Sequence, residues 1–244
     1  MNESEFRKND AMEEKHWWFK GRRAVINSIL KRLEQPEFAR ILDVGCGTGG
    51  NIPLLSRYGT VDAMEYNALA LKLARSKHPD TCIRKGKLPD EIPYENENYD
   101  LVCAFDVLEH IQDDQSAVMN MVKKVRPGGY LFCTAPANQW LWSSHDIVNQ
   151  HYRRYSLDNF VDLFMSAGLQ ISRRNYYNTL LFPIAASARL LGLHKDEVNS
   201  DLKQDPTFIA AILEQLFSAE RFLIPHWPMP FGISVLCVAR KCLQ

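Results

Sequence analysis

The segment of this 244-residue sequence with the clearest chemical character is 41–51, ILDVGCGTGGN. An apolar run ends at Asp43 and passes directly into a glycine-rich turn. Glycine permits positive φ and lets backbone N–H groups approach a ligand closely, and the start of a following helix adds a positive partial charge. Twenty residues after Gly45, Glu65 ends the next apolar run, where its carboxylate can accept hydrogen bonds from both hydroxyls of a ribose. This spacing predicts a nucleoside-containing ligand.

Two cofactor classes use this arrangement. Gly45, Gly47 and Gly50 match the G-x-G-x-x-G pattern of dinucleotide-binding proteins, which is weak evidence alone. Asp43 favours the second class, S-adenosylmethionine, because that cofactor carries an ammonium group and lacks the pyrophosphate that a carboxylate would repel. We therefore expect S-adenosylmethionine as the cofactor and S-adenosylhomocysteine as its product.

A second concentration of reactive side chains lies in 140–146 (WLWSSHD) and 151–155 (HYRRY), after the predicted fifth strand. Ligands of open α/β sheets bind outside the carboxyl ends of the strands, so an acceptor substrate should lie against this loop. His145 is the first candidate for a general base and His151 the second. The structural alternative is a loop held by pairs between Asp146 and arginines and by packing of its tryptophans.

The acceptor is expected to contact His110, Trp142, Arg153 and Arg154. The two arginines would suit a carboxylate or a phosphate. His110 belongs to a smaller cluster with Asp106 and Glu109 after the predicted fourth strand, where hydrogen bonding at a helix start is the favoured interpretation for Glu109 and His110. An Asp-x-x-Glu-His metal site is the alternative, but such matches often arise by chance, and no metal is predicted.

The N-terminal part of the chain contains His-Trp-Trp-Phe at 16–19, followed by Arg22 and Arg23. Three adjacent aromatic residues cannot all face one side of a helix. We expect Trp18 to belong to a helical lid, in which an aromatic face can stabilise a sulfonium by a cation–π contact. Docking of this helix onto the sheet is an equally weighted alternative.

Apolar runs and turn signals predict seven strands, at 40–44, 60–64, 81–84, 99–105, 130–135, 169–177 and 232–240. Helical spacing predicts helices between them and one over 11–33. Strands that alternate with helices favour an α/β fold with a mostly parallel sheet. We expect one domain over 1–244, with a lid at 1–36, a core at 37–178 and 231–244, and an insertion at 179–230.

The insertion holds two apolar helical patterns, at 180–193 and 208–223. It could cap a hydrophobic acceptor, lie on a membrane surface as a peripheral contact or form a dimer, and all three interpretations stay open, as does the oligomeric state. Its longest apolar stretch is too short to span a bilayer.

The overall composition is that of a globular protein, with 46% hydrophobic and 24% charged residues. Lys+Arg and Asp+Glu both number 29, so the chain lacks the basic field typical of nucleic-acid binding. Its six cysteines form no CxxC pair and its start lacks an apolar leader, which favours a cytoplasmic location.

Four motifs, in order, resemble the class I S-adenosylmethionine-dependent methyltransferases, in the group of the ubiquinone and menaquinone methyltransferases. They are ILDVGCGTGG at 41–50, Glu65, YDLVCAFDVLEHI at 99–111 and RPGGYLF at 126–132. A bacterial subset of this group is also similar in the N-terminal aromatic block and in HYRRYS at 151–156.

The resemblance implies a Rossmann-like sheet of order 3-2-1-4-5-7-6 with an antiparallel seventh strand. It also implies the cofactor site. The methionine part would be held by Asp43 and by the loop residues Gly45, Cys46, Gly47 and Gly49, and the ribose side would be held by Glu65 and Tyr66. The adenine would lie against Lys87 and Leu88. Phe105 and Asp106 would line the space beneath the methionine part, and Trp18 would belong to the lid. Family members often have Asp where Lys87 stands, so this position departs from the family pattern.

The leading hypothesis is therefore methyl transfer from S-adenosylmethionine to O or N of a small-molecule or lipid-like acceptor. The alternatives are an NAD(P)-dependent oxidoreductase that uses the same glycines and a non-catalytic S-adenosylmethionine-binding module. The oxidoreductase predicts a Tyr-x-x-x-Lys set, which neither 66–77 nor 152–159 supplies. A nucleic-acid methyltransferase is weaker still, because no base-flipping motif is present.

Overall fold

Seven strands form one mixed sheet of order β3-β2-β1-β4-β5-β7-β6 in the computed structural model, which describes residues 3–34, 39–191 and 207–243. The strands are β1 (Ala39–Val44), β2 (Gly59–Glu65), β3 (Cys82–Lys85), β4 (Tyr99–Phe105), β5 (Val125–Pro136), β6 (Gln170–Tyr177) and β7 (Ser234–Arg240). Strands β1 to β5 pair in parallel, and β7 is antiparallel to both β5 and β6. The predicted fold class and strand order are confirmed.

Helices cover both faces of this sheet. They are α1 (Glu3–Met12), α2 (Trp17–Leu30), α3 (Ile52–Leu55), α4 (Ala68–Lys77), α5 (Asp114–Val122), α6 (Ser144–Val148), α7 (Leu157–Ser166), α8 (Phe182–Leu190) and α9 (Thr207–Ala219). Neighbouring residues of β1 point into different cores: Ile41 packs in the cluster that contains Val25 of α2, and Leu42 packs in the cluster that contains Val118 of α5. A strand buried on both faces explains the nearly continuous apolar run.

The prediction of a single helix over 11–33 is wrong. Helix α1 ends at Met12, and α2 begins only at Trp17. His16 has an extended backbone, and its side chain accepts a hydrogen bond from the Trp18 amide, as an N-cap does. Glu13, in the break, is buried and accepts a hydrogen bond from the Thr48 hydroxyl at 2.7 Å. These tertiary and capping contacts override the helical spacing of the sequence.

The insertion between β6 and β7 contains α8 and α9, so both helical patterns occur where they were predicted among the described residues. Residues 192–206 lie outside the described part, which includes the end of the first pattern. No helix in the described ranges is both long and apolar enough to cross a membrane.

Helix α9 packs against α2. Phe217 of α9 is fully buried, and its ring lies 6.5 Å from that of Trp17, centroid to centroid. Lys20 and Glu214 add an ion pair at 3.0 Å between the two helices. The insertion thereby helps to fix the N-terminal helix against the sheet.

The contact between α2 and α9 predicts that Gly21→Ala destabilises the protein. Alanine would favour the helix by about 1 kcal/mol, but its Cβ would lie 2.4 to 2.8 Å from three atoms of Phe217, and overpacking costs roughly 1–3 kcal/mol. We expect a net loss of about 1 kcal/mol in the free energy of unfolding, measured in urea.

The double variant Gly21→Ala with Phe217→Ala is the matched control, since alanine lacks the Cγ and Cδ1 atoms that would lie nearest the new Cβ. Its loss in the free energy of unfolding should be smaller than the sum of the losses in the two single variants. Additive losses, or a more stable Gly21→Ala protein, would contradict this account of the packing.

Candidate functional site

The turn after β1 closes onto the neighbouring strand. The amides of Gly45 and Cys46 both donate to the Met64 carbonyl oxygen, at 2.9 and 3.0 Å. Gly47 has a φ of +58°, and a Cβ there would meet nothing within 4 Å. The loop therefore exposes its backbone at Gly47, which suits close approach of a ligand.

Glu65, at the end of β2, is tied to this loop. Its Oε2 accepts from the Gly47 amide at 2.9 Å and its Oε1 from the Asn67 amide at 2.7 Å. Burial raises the pKa of Glu65, while these backbone hydrogen bonds oppose the rise. Each carboxylate oxygen has a second lone pair, so both can also accept a ligand hydroxyl.

Asp43, at the end of β1, is 1% exposed and carries an unsatisfied carboxyl group. Neither oxygen has a hydrogen-bond partner among the described residues. Burial raises the pKa of Asp43 to about 7, against the opposing effect of the Arg22 guanidinium. A buried carboxylate of this kind is stabilised by a cationic ligand nearby. The orphaned group fits a ligand that carries an ammonium.

A cavity of about 1020 Å³ opens at the carboxyl ends of the parallel strands. Its lining includes these predicted site residues: Trp18, Gly45, Cys46, Gly47, Glu65, Tyr66, Lys87, Leu88, Phe105, Asp106, His110, His145, His151 and Arg154. The fold thus brings the residues predicted for the cofactor and those predicted for catalysis to one cavity.

Four predicted residues do not line this cavity. Asp43 is almost fully buried, and at Gly49 a Cβ would come within 2.6 Å of His78, which explains the need for glycine there. Trp142 is half-buried away from the cavity. Arg153 donates to Asp114 Oδ2 at 2.8 Å and to the Gln112 carbonyl at 2.7 Å, so its guanidinium is engaged within the fold.

The end of the cavity next to β3 is formed by Lys87, Leu88 and Tyr66. The Lys87 ammonium lies 5.1 Å from the centroid of the Tyr66 ring, and Leu88 is buried. This position combines an apolar wall with an aromatic face. An apolar wall and an aromatic face suit contact with a flat base.

Arg22 lines the cavity, although the sequence motifs did not assign it to the site. It forms an ion pair with Asp106, and its guanidinium carbon lies 4.9 Å from the Trp18 ring centroid. Its NH2 also lies 3.5 Å from Asn51 Oδ1. The aromatic block beside it was the available signal, but the sequence could not pair an N-terminal arginine with the end of β4. In the fold, the Arg22 guanidinium lies over one face of the Trp18 ring.

His151 forms a dyad with a fully buried carboxylate. Its Nδ1 lies 2.8 Å from Asp146 Oδ1. Asp146 also accepts from Arg154 Nε at 2.9 Å and from the Ser143 amide at 2.8 Å. Burial alone would raise the pKa of Asp146, but the hydrogen bonds from His151 and Arg154 hold it well below its usual value. The carboxylate fixes the ring of His151 and leaves its Nε2 for another partner.

Two further titratable groups adjoin His151. The His110 ring lies 4.6 Å from that of His151, and burial, with the nearby His151, lowers its pKa to about 3. Glu109 is 1% exposed, and burial followed by the nearby Asp106 raises its pKa well above the usual range. Ligating atoms of Glu109, His110 and His151 lie within 4.8 Å of one another, a set that could also hold a metal ion. Asp106, which the sequence placed in such a set, is paired with Arg22 instead.

His145, the first candidate for the base, lies in the same cavity. Its Nε2 is 3.0 Å from the Asn149 amide nitrogen, and its ring centroid is 6.1 Å from that of His151. His145 thus contacts an amide, whereas His151 contacts a carboxylate.

Comparison with known proteins places this site in a family. The family model described as a methyltransferase domain matches residues 18–173. A probable S-adenosylmethionine-dependent methyltransferase of Mycolicibacterium smegmatis is 25% identical over 163 residues, 66% of this chain and 62% of that protein. A ubiquinone biosynthesis O-methyltransferase of Proteus mirabilis is 31% identical over 125 residues, 48% of this chain and 50% of that protein.

Among solved structures, a chain from the complex between the Haloferax volcanii Trm112 methyltransferase activator and a methyltransferase matches the fold with a TM-score of 0.65. The identity is 16%, over 99% of this chain and 96% of that chain. The matched region spans only about half to three fifths of the curated relatives' length. The family match covers most of the chain, including the glycine loop and the segments 140–146 and 151–155, and the chain belongs to the class I S-adenosylmethionine-dependent methyltransferases.

Proposed function

We propose that this protein transfers a methyl group from S-adenosylmethionine to an oxygen or nitrogen of a small-molecule or lipid-like acceptor. The observation that carries the proposal is the sharing of one cavity by two different sets of groups. One set is the open glycine loop with Glu65, and the other is the Asp146–His151 dyad.

The residues of the first set fit the cofactor by their chemistry. Glu65 would accept the ribose hydroxyls, and Leu88 with Tyr66 would contact the adenine. The carboxylate of Asp43 would attract the ammonium of the methionine part, and Arg22 would attract its carboxylate. The bound cofactor supplies an electrophilic methyl group, so the protein's main task is to orient the acceptor, which can contribute roughly 7–11 kcal/mol.

We propose His151, rather than His145, as the general base for a hydroxyl acceptor. A base works best when a third group holds its ring in one tautomer and stabilises the charge that it gains. Asp146 does both for His151, since its buried carboxylate contacts Nδ1. Asn149 can orient His145 but brings no charge. A neutral amine acceptor would need no base.

The acceptor side of the cavity has an apolar wall, which supports a partly apolar acceptor. It is formed by Leu141 and by Leu181, Ile184 and Ala185 at the start of the insertion, with Leu213 of α9. Helix α8 also leaves Ile184 63% exposed. The insertion thus acts as a cap whose apolar face adjoins the mouth of the cavity.

The raised pKa of Asp43 predicts that binding of S-adenosylmethionine depends on pH. Below about pH 7 the carboxyl is protonated in the free protein, and a cationic ligand favours the ionised form. Affinity should therefore rise about tenfold from pH 5.5 to 7, a range in which the ligand's amino group stays charged. Calorimetric titration at each pH measures this change.

Asp43→Asn should remove most of that pH dependence and weaken binding at pH 7. The matched control is Asp158→Asn, which changes an exposed carboxylate outside the cavity and should behave as the wild type. A pH profile that is the same in Asp43→Asn and wild type would contradict the role of Asp43. Saturable binding of NAD⁺ or NADP⁺, but not of S-adenosylmethionine, would overturn the proposed function.

The dyad predicts that His151→Gln lowers the rate of methyl transfer to a hydroxyl acceptor by at least about 100-fold. Affinity for S-adenosylmethionine should stay within about twofold, because His151 lies at the acceptor end. Release of S-adenosylhomocysteine in a screen of hydroxylated amphiphiles measures the rate. His145→Gln is the comparison variant, and a larger loss in it than in His151→Gln would favour His145 as the base.

A further inference from the structure

We propose that Arg189 binds an anionic group of the acceptor, a carboxylate or a phosphate. This inference rests on the proposed function, because it assigns the acceptor's part of the same cavity. It names the acceptor class as a molecule that carries an anionic oxygen group, an apolar body and the hydroxyl or amine to be methylated.

The arginines that the sequence assigned to this task are already engaged. Arg153 pairs with Asp114 outside the cavity. Arg154 lines the cavity, but its Nε donates to Asp146 and its NH1 to the Ala137 carbonyl. Both guanidinium groups already have partners within the fold. We therefore do not assign either of them to an anionic group of the acceptor.

Arg189, on α8, lines the cavity and is half-buried. Its Nε donates to the Leu141 carbonyl at 3.2 Å. Within the described ranges, no carboxylate lies at ion-pair distance from it. A guanidinium withdrawn from water without a counter-ion is costly, and its fork of N–H groups matches the geometry of a carboxylate or phosphate. The arrangement favours an anion supplied by a ligand.

The surroundings of Arg189 define the rest of the acceptor. On α8, Ala185 and Ile184 precede it by four and five residues and line the same cavity, so the guanidinium ends an apolar wall. Its anchor, Leu141, belongs to the loop that continues into α6 and the dyad. One loop therefore adjoins both the anion-binding group and the base, as a single bifunctional acceptor requires.

The two remaining cavity-lining arginines come from the N-terminal part of the chain. Arg22 and Arg23 belong to α2, and Arg22 is paired with Asp106 at the end of β4. Variants of Arg189 should consequently affect the acceptor without affecting the cofactor. This separation makes the inference testable without knowledge of the natural acceptor.

The test is calorimetric titration of the full chain, in the presence and in the absence of S-adenosylhomocysteine. The three probes each have an eight-carbon chain, and they are 8-hydroxyoctanoate, 8-hydroxyoctyl phosphate and 1,8-octanediol. At least one of the anionic probes should bind about tenfold more tightly than the neutral diol, equivalent to about 1.4 kcal/mol. The tighter of the two anions identifies whether a carboxylate or a phosphate is preferred.

Arg189→Met should abolish this preference, Arg189→Lys should retain part of it, and neither should change the affinity for S-adenosylmethionine. The matched control is Arg221→Met, which removes an exposed arginine of the same insertion outside the cavity. An anion preference that persists in Arg189→Met, or no preference for either anion in the wild type, would overturn the inference. If the wild type did not bind S-adenosylmethionine, the proposed function would be rejected instead. The two outcomes can be told apart because cofactor binding and anion preference are measured in separate titrations.

Discussion

The closure of the glycine loop onto strand β2 is the constraint on which the site depends. Two loop amides donate to the Met64 carbonyl, and the Gly47 amide donates to the Glu65 side chain. These bonds fix the ends of β1 and β2 relative to each other and aim the open face of the loop into the cavity. Glu65 thus orders the loop in addition to presenting its carboxylate to a ribose.

Charge is distributed unevenly around the cavity. Three buried acidic groups, Asp43, Glu65 and Glu109, have raised pKa values because the fold withdraws them from water. Asp146 is equally buried, yet hydrogen bonds from His151 and Arg154 keep it ionised. The surroundings of each carboxyl group, rather than its residue type, therefore set its pKa. They distinguish a carboxyl group that suits a cationic ligand from one that orients a base.

The N-terminal helices and the insertion complete the site from outside the core of the sheet. Glu13 contacts Thr48 and Lys77, which ties the break between α1 and α2 to the glycine loop and α4. Helix α9 packs on α2, and α8 forms a wall of the cavity. Segments far apart in the chain thereby close a cavity whose floor the parallel strands provide.

Local patterns in the sequence determined the seven strands, the glycine turn and the position of Glu65, because short-range spacing and backbone requirements leave few alternatives there. The same patterns failed where a tertiary contact competes with helical spacing, as at Glu13 and His16, which split the predicted first helix. The sequence ranked His145 before His151 as the candidate base, and the contact of His151 with Asp146 favours the reverse order that we propose.

Pairings between distant segments were decided only by the tertiary structure. It paired Arg22 with Asp106, engaged Arg153 and Arg154 within the fold, and left Arg189 in the cavity. A run of arginines looks the same in sequence whether its charges are neutralised or not, since Coulombic pairing depends on distance through space. The sequence by itself therefore determined the sheet and the kind of cofactor, and the folded chain decided which charges remain for an acceptor.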